Sequence, residues 1–375
     1  MANEQTQDTA ILIPSYKPDH KLAPYVQELR DAGFAKIVVV DDGSGDAFAE
    51  IFAGIPQDDI VHIIQYTPNA GKGEALKRGM CYLRDECPQC EYIITADSDG
   101  QHIAPDVLRV CDRLHEMDGG LLLGSRDFSK AGVPARSIMG NRITAVVFLA
   151  LYGTWVEDTQ TGLRGFPRNL LDEMIAVKGA RYEYEMNMLI AAATKKIPIR
   201  KISIETVYEN NNEGSHFRTV QDSARIYGII FAGFFRFMSV SLVSALIDWG
   251  LYKLINNLII THAPQLVHQF RFLFLSVLLN ILLATILARI LSSIFNFFVN
   301  KNFVFADHGD IRKSLPRYLC TFLIIMLLSG GLTSSFHVWF GMGDGVAKII
   351  VDICLFFLSY QIQQRWVFAK GTGTK

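Results

Sequence analysis

With 375 residues, the chain has room for one or two domains. Hydrophobic residues make up 50% of it and the formal net charge is −1, a balance that singles out no charged partner. The first ten residues are polar, so no signal peptide is expected. The lone C-x-x-C of Cys87 and Cys90 lacks the second pair of a zinc site and reads as reduced, cytosol-facing thiols.

Hydropathy is unevenly spread. Residues 1–225 alternate charged and apolar runs, and long apolar tracts with few charges begin at Phe231. That shift predicts a soluble domain over 1–225 and a membrane domain over 226–375. In the first, Ala10–Ile13 reads as a buried strand ended by Pro14-Ser15-Tyr16-Lys17-Pro18, and a helix is predicted to about Ala32. Ile37–Val40 is a second strand, ending in Asp41-Asp42-Gly43-Ser44. A third covers Ile60 to Gln65. Asn69-Ala70-Gly71-Lys72-Gly73 then opens a helix to about Leu83. The strand Glu91–Ile94 leads into Thr95-Ala96-Asp97-Ser98-Asp99-Gly100-Gln101-His102. This alternation predicts a parallel α/β sheet with its polar and glycine-rich segments at strand C-terminal ends, where open sheets bind ligands.

Residues two apart on an extended backbone point the same way, so Asp97 and Asp99 can converge on one cation, with Gln101 adding a neutral oxygen. Such a donor set suits Mg²⁺ or Mn²⁺ that also holds a phosphate. The same residues also suit an Asp/Ser/Gly turn. Asp41 and Asp42 can accept hydrogen bonds from a base or ribose, or close a turn. Gly71, Lys72 and Gly73 can cradle a phosphate at a helix N-terminus, or form a solvated loop. The G-x-G-x-x-G and G-x-x-x-x-G-K-[ST] fingerprints are absent, which speaks against Rossmann dehydrogenases and P-loop enzymes.

Taken together, Ile13-Pro14-Ser15-Tyr16, Val40-Asp41-Asp42-Gly43-Ser44, Asn69–Gly73 and Asp97–His102 resemble the family 2 glycosyltransferases of GT-A fold, and within them the dolichol-phosphate mannose synthases and their bacterial polyprenyl-phosphate relatives. The resemblance covers about the first 225 residues. It implies nucleotide contacts from Pro14, Tyr16, Asp41, Asp42, Ser44, Asn69, Lys72 and Asp97, and a divalent metal on Asp97, Asp99 and Gln101. Lys17-Pro18 replaces the family's usual Asn-Glu, which puts one base or ribose contact in doubt. Leu123-Gly124-Ser125-Arg126 and the basic loop after it resemble the family's lipid-phosphate segment. Arg126 and Arg136 are its candidates, with Arg218 of Ser215-His216-Phe217-Arg218 a third; a solvated basic loop is the alternative. His216 reads as structural. Asp158-Thr159-Gln160-Thr161-Gly162-Leu163-Arg164 resembles the family's D-x-x-[ST]-G-[FL]-R segment, with Asp158 and Arg164 lining the acceptor side. Glu185 is a positioning candidate. Around 137–152, an apolar stretch too short to span a bilayer predicts either an interface helix or a core helix.

Four tracts near 234–256, 271–299, 317–340 and 345–365 each approach or exceed the roughly 20 residues a spanning helix needs. Lys and Arg flank them at Arg236, at Lys301–Arg317 and at Arg365–Lys375, which places both termini and the catalytic domain on the cytosolic face of a cell or inner membrane. Phe235-Arg236-Phe237-Met238 echoes Pro316-Arg317-Tyr318-Leu319, and Asn300–Phe305 echoes Gln363–Phe368, so two like hairpins are predicted. With Leu246-Ile247-Asp248, this pattern resembles the GtrA-like family, which is associated with anchoring and with moving polyprenyl-linked sugars. Asp248, Arg289 and Asp352 are ionisable groups in apolar tracts, read as pairing partners or as a path for a lipid head.

The expected activity is metal-dependent, inverting transfer of a hexose from a nucleotide sugar to polyprenyl phosphate. The expected partners are that donor, that acceptor and the membrane, not nucleic acid; homo-oligomerisation is left open. One rival is transfer to a lipid or glycan hydroxyl, which needs a general base. The other is a lipid-sugar transporter or scaffold with a degenerate catalytic domain.

Overall fold

The computed structural model describes residues 4–126, 135–205, 219–272, 275–307, 309–341 and 344–368. They form two compact units, Met1–Ile230 and Phe231–Lys375. The boundary falls inside a continuous helix rather than in a linker.

The first unit is built on strands with continuous apolar centres, as expected where both faces are covered. β1 (Thr9–Ser15) and β2 (Lys36–Asp42) are buried at every position. Helix α1 (Leu22–Asp31) joins them, and the short α2 (Ala49–Ala53) precedes β3 (Val61–Tyr66). Then follow α3 (Lys72–Glu86), β4 (Tyr92–Thr95), α4 (Ala104–His115), β5 (Leu121–Arg126), α5 (Ala135–Tyr152), β6 (Arg164–Pro167), α6 (Leu171–Ile175), α7 (Glu183–Thr194) and β7 (Ile199–Ile204).

The seven strands lie in the order β3-β2-β1-β4-β6-β5-β7. β1 pairs in parallel with β2 and β4, and β3 with β2. β6 runs antiparallel to both β4 and β5, which corrects the expected all-parallel sheet. Arg164-Gly165-Phe166-Pro167 carries no β-branched alternation, so it does not read as a strand; pairing with β4 imposes the form. Chain order reverses between β1 and β4, and the crevice of an open sheet lies at such a switch point, beyond the strand C-termini. The unit is a GT-A-like α/β domain.

The second unit is helical. α8 (Thr219–His262) enters it and is followed by a hairpin of β8 (Gln269–Phe272) and β9 (Leu275–Leu278). Then come α9 (Leu279–Val299), α10 (Ile311–Phe340) and α11 (Asp344–Ile362). Four helices are long and apolar enough to cross a membrane among the described residues: Ala224–His262, Leu279–Val304, Ile311–Thr333 and Val346–Val367. The tract expected over 271–299 therefore begins as a β-hairpin, and the spanning helix starts only at Leu279. The sequence repeat has a structural counterpart. Asn300–Val304 and Gln363–Val367 both wind as single π-helical turns at helix ends. The closing amides of Phe305 and Phe368 donate five residues back, to Asn300 and Gln363. Phe305 stacks on Phe368 at 5.2 Å, and Asn300 Nδ2 donates to Gln363 Oε1 at 3.1 Å.

Candidate active site

The crevice is built from the ends of three neighbouring strands. Ser15 closes β1 opposite Asp41 of β2, and Leu12 of β1 pairs with Thr95 of β4, two residues before Asp97. Asp41 is buried and accepts hydrogen bonds from the Ser44 amide at 2.9 Å and Gln65 Nε2 at 3.4 Å. The Ser44 hydroxyl accepts from the Lys17 amide at 2.8 Å, fixing the turn after Tyr16 with Lys17 at a left-handed φ of 51°. Pro14 lies inside β1, and the half-buried Tyr16 follows it.

Asp42 is engaged by its own fold. Its carboxylate accepts from Tyr66 Oη (2.7 Å), Asn69 Nδ2 (2.8 Å), the Ala70 amide (2.7 Å) and the Gly71 amide (2.8 Å). A carboxylate offers about four lone pairs, and these four donors match them. Asp42 ties down the Asn69–Gly71 loop, and Asn69 spends its side-chain amide on that task. The loop aims α3: Gly71, at φ 104°, is its N-cap, and Lys72 is its first residue.

Lys72 is the hub. Its Nζ lies 2.7 Å from Asp97 Oδ1 and 2.9 Å from Glu185 Oε1 on α7. Burial alone would lower this ammonium's pKa, but the two carboxylates outweigh it and hold it above the lysine range. Asp97 shows the counterpart. Burial would raise its carboxyl, yet Lys72 and His102 keep it well below the usual carboxylate range. Asp99 moves the other way. Desolvation in the crevice, and then the negative charge of Asp97, push it up against the Gln101 amide that donates to Oδ1 at 3.0 Å.

The segment 157–164 lies across this acidic loop. Thr95 Oγ1 donates to the Gly162 carbonyl at 2.8 Å, and Thr161 Oγ1 to Gly124 O at 2.6 Å. Gly162 packs directly on the Asp97 carboxylate, where a Cβ would collide. Asp158 is buried and holds Arg126 through Nε at 2.7 Å and Nη2 at 2.9 Å. Arg164 does not line an open acceptor side, as expected above. It is 1% exposed, with Nε on the Thr161 carbonyl and Nη1 on the Glu185 carbonyl. Burial lowers its pKa against the pull of Glu185, Asp158 and Asp97. Arg164 therefore ties the 161–164 segment to α7. Arg218 and the loop with Lys130 lie outside the described residues, as does the side chain of Arg136, near the start of α5.

The donor set fits a divalent cation. Among the described residues no group of three or more His, Cys, Asp or Glu forms a cage. A Mg²⁺-type ion needs none, because one or two carboxylates and the substrate's phosphates complete its shell. Asp97 and Asp99 would supply the carboxylates, and Lys72 already sets a cation against the first. Buried His102 adds a further sign: Nε2 stands 3.4 Å from Asp97 Oδ2, and neither ring nitrogen completes a hydrogen bond.

Both units resemble known protein families. Residues 10–174 match the model of glycosyl transferase family 2, and residues 236–368 match the GtrA/DPMS transmembrane domain. The chain is a family 2 glycosyltransferase fused to a GtrA-like membrane domain. It is an integral membrane protein. Glycosyltransferase AglJ of Haloferax volcanii is 29% identical over 60% of this chain and 70% of its own. The UDP-N-acetylglucosamine–dolichyl-phosphate N-acetylglucosaminyltransferase of Methanococcus voltae is 26% identical over 53% and 85%. The dolichyl-phosphate beta-glucosyltransferase of Saccharomyces cerevisiae is 24% identical over 52% and 65%.

Among the described residues, one group outside the motifs is electrostatically tied to the acidic loop. Tyr25 of α1 has a buried hydroxyl without a hydrogen-bond partner, and burial, Asp97 and Asp99 together push its pKa far up. In sequence it is one apolar-face position of an amphipathic helix, and no local signal separates it from core.

Proposed function

We propose that this glycosyltransferase moves a hexose from a nucleotide sugar to the phosphate of a polyprenol on the cytosolic face, with inversion and with Mg²⁺ or Mn²⁺ as cofactor. The names of the yeast and Methanococcus relatives support a lipid-phosphate acceptor. One observation of this chain carries the choice: both carboxylates that could serve as a general base are bound to cations, Asp158 to Arg126 and Glu185 to Lys72. A sugar or glycerol hydroxyl needs a base to become a nucleophile. A phosphate monoester is mostly dianionic at pH 7 and attacks without one. It needs cations to hold it, and arginine suits that task.

In this reading Asp41 and the turn at Lys17 meet the nucleoside, and Lys72 lends positive charge beside the diphosphate. The metal, held by Asp97 and Asp99 with Gln101, would act as a Lewis acid on the departing diphosphate. Asp158 orients Arg126, and Arg126, Arg136 and Arg218 gather the acceptor phosphate. α5 suits an interfacial position. Met139, Ile143, Val146 and Leu149 expose an apolar stripe, whereas Ala145, Phe148, Leu151 and Tyr152 are buried.

The test is purified full-length protein with UDP- and GDP-sugars, undecaprenyl or dolichyl phosphate, and Mn²⁺. Radiolabelled sugar on the prenyl phosphate is the expected product. Transfer to diacylglycerol or a glycan but not to either prenyl phosphate would refute the reading.

A further inference from the structure

The first unit holds an open pocket of about 400 Å³ where α7 begins and α8 passes. That volume lies in the range of small-molecule sites. Ala180, Arg181 and Glu183 form one wall, and Arg225, Gly228 and Ile229 of α8 form the other. The nucleotide crevice uses none of them.

Both walls are fixed in place. The Ala180 carbonyl accepts from the Glu74 amide of α3 at 2.9 Å. Glu183 Oε1 accepts from the Ala180 amide at 3.1 Å and the Arg181 amide at 3.2 Å. On α8, Ile226 and Ile230 are buried. Tyr227 Oη lies 3.0 Å from Thr144 Oγ1 of α5, and Tyr152 Oη of α5 donates to the Ile230 carbonyl at 2.9 Å. Arg225 and Gly228 are exposed on the remaining face. A Cβ added at Gly228 would meet no atom within 4 Å, so the pocket is open there.

Two features point to a ligand. The first is charge. Burial would raise the Glu183 carboxyl, but the backbone amides around it and Arg225 outweigh that and keep it below the usual carboxylate range. Two guanidiniums against this one carboxylate leave positive charge in excess. Guanidinium forks suit phosphate, and arginines at a membrane surface are drawn to anionic lipids. The second is the order of groups along α8. Arg225 stands at the start of the candidate span Ala224–His262. One turn on, about 5.4 Å, the lining is Gly228 and Ile229, without charge. Charge followed by hydrocarbon is the order of a phospholipid, and a soluble anion gains nothing from the apolar end. α5, bonded to the same turns of α8, exposes its own apolar stripe at Met139, Ile143, Val146 and Leu149.

We propose that this pocket binds the phosphate head of an acidic glycerophospholipid, held by Arg181 and Arg225, with the acyl chains leaving past Gly228 and Ile229. The lipid is a resident of the pocket and not a substrate. Its phosphate would steady the loop at Ala180 on which the first turn of α3 rests. The inference depends on membrane integration and not on the acceptor proposed above.

The experiment uses the full-length protein in phosphatidylcholine nanodiscs, with phosphatidylglycerol bearing a diazirine in its head group as probe and labelled peptides mapped by mass spectrometry. Labelling of 178–183 and 224–230 is expected to exceed that of α9, which measures ordinary contact with lipid. Unlabelled phosphatidylglycerol should compete, and added phosphatidylcholine should not. Equal competition by undecaprenyl phosphate at the same mole fraction would give the pocket to the acceptor. Competition by soluble glycerol 3-phosphate would give it to a free anion. Either result overturns the proposal. Arg181→Gln and Arg225→Gln should each lower labelling by about tenfold or more, the cost of one charged hydrogen bond. Should either variant lose its fold, Gly228→Leu fills the pocket from a position whose Cβ meets open space. It too should block labelling. Labelling no greater than that of α9, or unchanged in Gly228→Leu, would also sink the idea. The nucleotide-sugar assay reads the transferase separately: a protein that transfers to neither prenyl phosphate but labels here keeps this site, and an active one that does not label loses it.

Discussion

Lys72 Nζ bridges Asp97 at 2.7 Å and Glu185 at 2.9 Å, joining the loop after β4 to α7 through the first residue of α3. The three groups are largely withdrawn from water, so the ammonium balances two charges that would otherwise repel. Lys72→Met should cost about 3 kcal/mol of stability, because it strands both carboxylates. Transfer should fall by about a hundredfold. Mn²⁺ should raise the melting temperature of the variant more than that of the wild type, since the ion takes the place the ammonium leaves. Thermal melts with and without Mn²⁺ check this, and equal shifts in the two proteins would contradict it.

Asp99 gives the metal dependence a pH signature. Its carboxyl titrates above the ordinary range because of desolvation and the neighbouring Asp97. A ligand must be deprotonated to bind the ion. As pH falls, Asp99 therefore takes up its proton earlier than a solvent carboxyl, and the metal is lost at a milder acidity. The Mn²⁺ concentration giving half-maximal transfer should rise steadily as the assay is taken from pH 7 towards pH 5. Chelation should abolish transfer and Mn²⁺ restore it, whereas Asp99→Ala should stay inactive at any Mn²⁺ concentration. A flat Mn²⁺ requirement across that range would remove Asp99 from the ligand set.

Arg126 and Asp158 form the second buried pair, and its two halves predict different outcomes. Arg126→Ala leaves an uncompensated carboxylate whose side chain is wholly buried, at a cost of about 3–5 kcal/mol. Asp158→Asn keeps the volume and removes the charge, so it should destabilise less. Because Asp158 is a positioning group here, Asp158→Asn should retain measurable transfer with a raised KM for the prenyl phosphate. Arg126→Lys should not restore that KM, because an ammonium lacks the two-pronged geometry. Loss of all turnover in Asp158→Asn, with its fold intact, would favour a base-dependent hydroxyl acceptor.

The strands and the acidic loop were legible because they rest on local chemistry. Val38, Val39 and Val40 read as buried strand wherever they occur, and Asp97-Ser98-Asp99 declares itself at the end of one. The partners of Asp42 and Arg164 were not legible for a common reason. Each sits in a motif, but its partners lie far along the chain: Asp42 bonds Tyr66 and Asn69–Gly71, and Arg164 bonds the carbonyl of Glu185. Such closures depend on tertiary contacts that no local pattern records. The hairpin at 269–278 failed differently, since Phe270, Phe272 and Val277 suit a helix or a strand, and pairing between the two runs decides.

The thiols should differ sharply in reactivity. Cys90 and Cys111 are fully buried, and burial pushes both up to about 11. Thiolate is the reactive form, so native protein at pH 8 should leave both unmodified by iodoacetamide, while the half-buried Cys81 reacts first in this domain. Peptide mapping after brief alkylation decides. Early labelling of Cys90 would show that the strand-flanking core around Cys87 opens readily.

Gly162 offers the most selective test of the acidic loop. It touches Asp97 so closely that any Cβ would fall on the carboxylate. The obstacle is a side chain rather than backbone, so Gly162→Ala can be accommodated if Asp97 turns away. That rotation would pull Oδ1 from Lys72 and move the Asp97 charge relative to Asp99. The fold should survive, because Thr95 still donates to the carbonyl of residue 162 and β6 still pairs with β4. The expected result is a loss of about 1–3 kcal/mol in stability, in the range for overpacking, with a disproportionate fall in transfer and a higher Mn²⁺ requirement. Raising Mn²⁺ should recover part of the activity of Gly162→Ala, but none of the activity of Asp99→Ala. If Gly162→Ala matches wild type in its Mn²⁺ titration, Asp97 does not take part in holding the ion, and Lys72 and Glu185 are its only business.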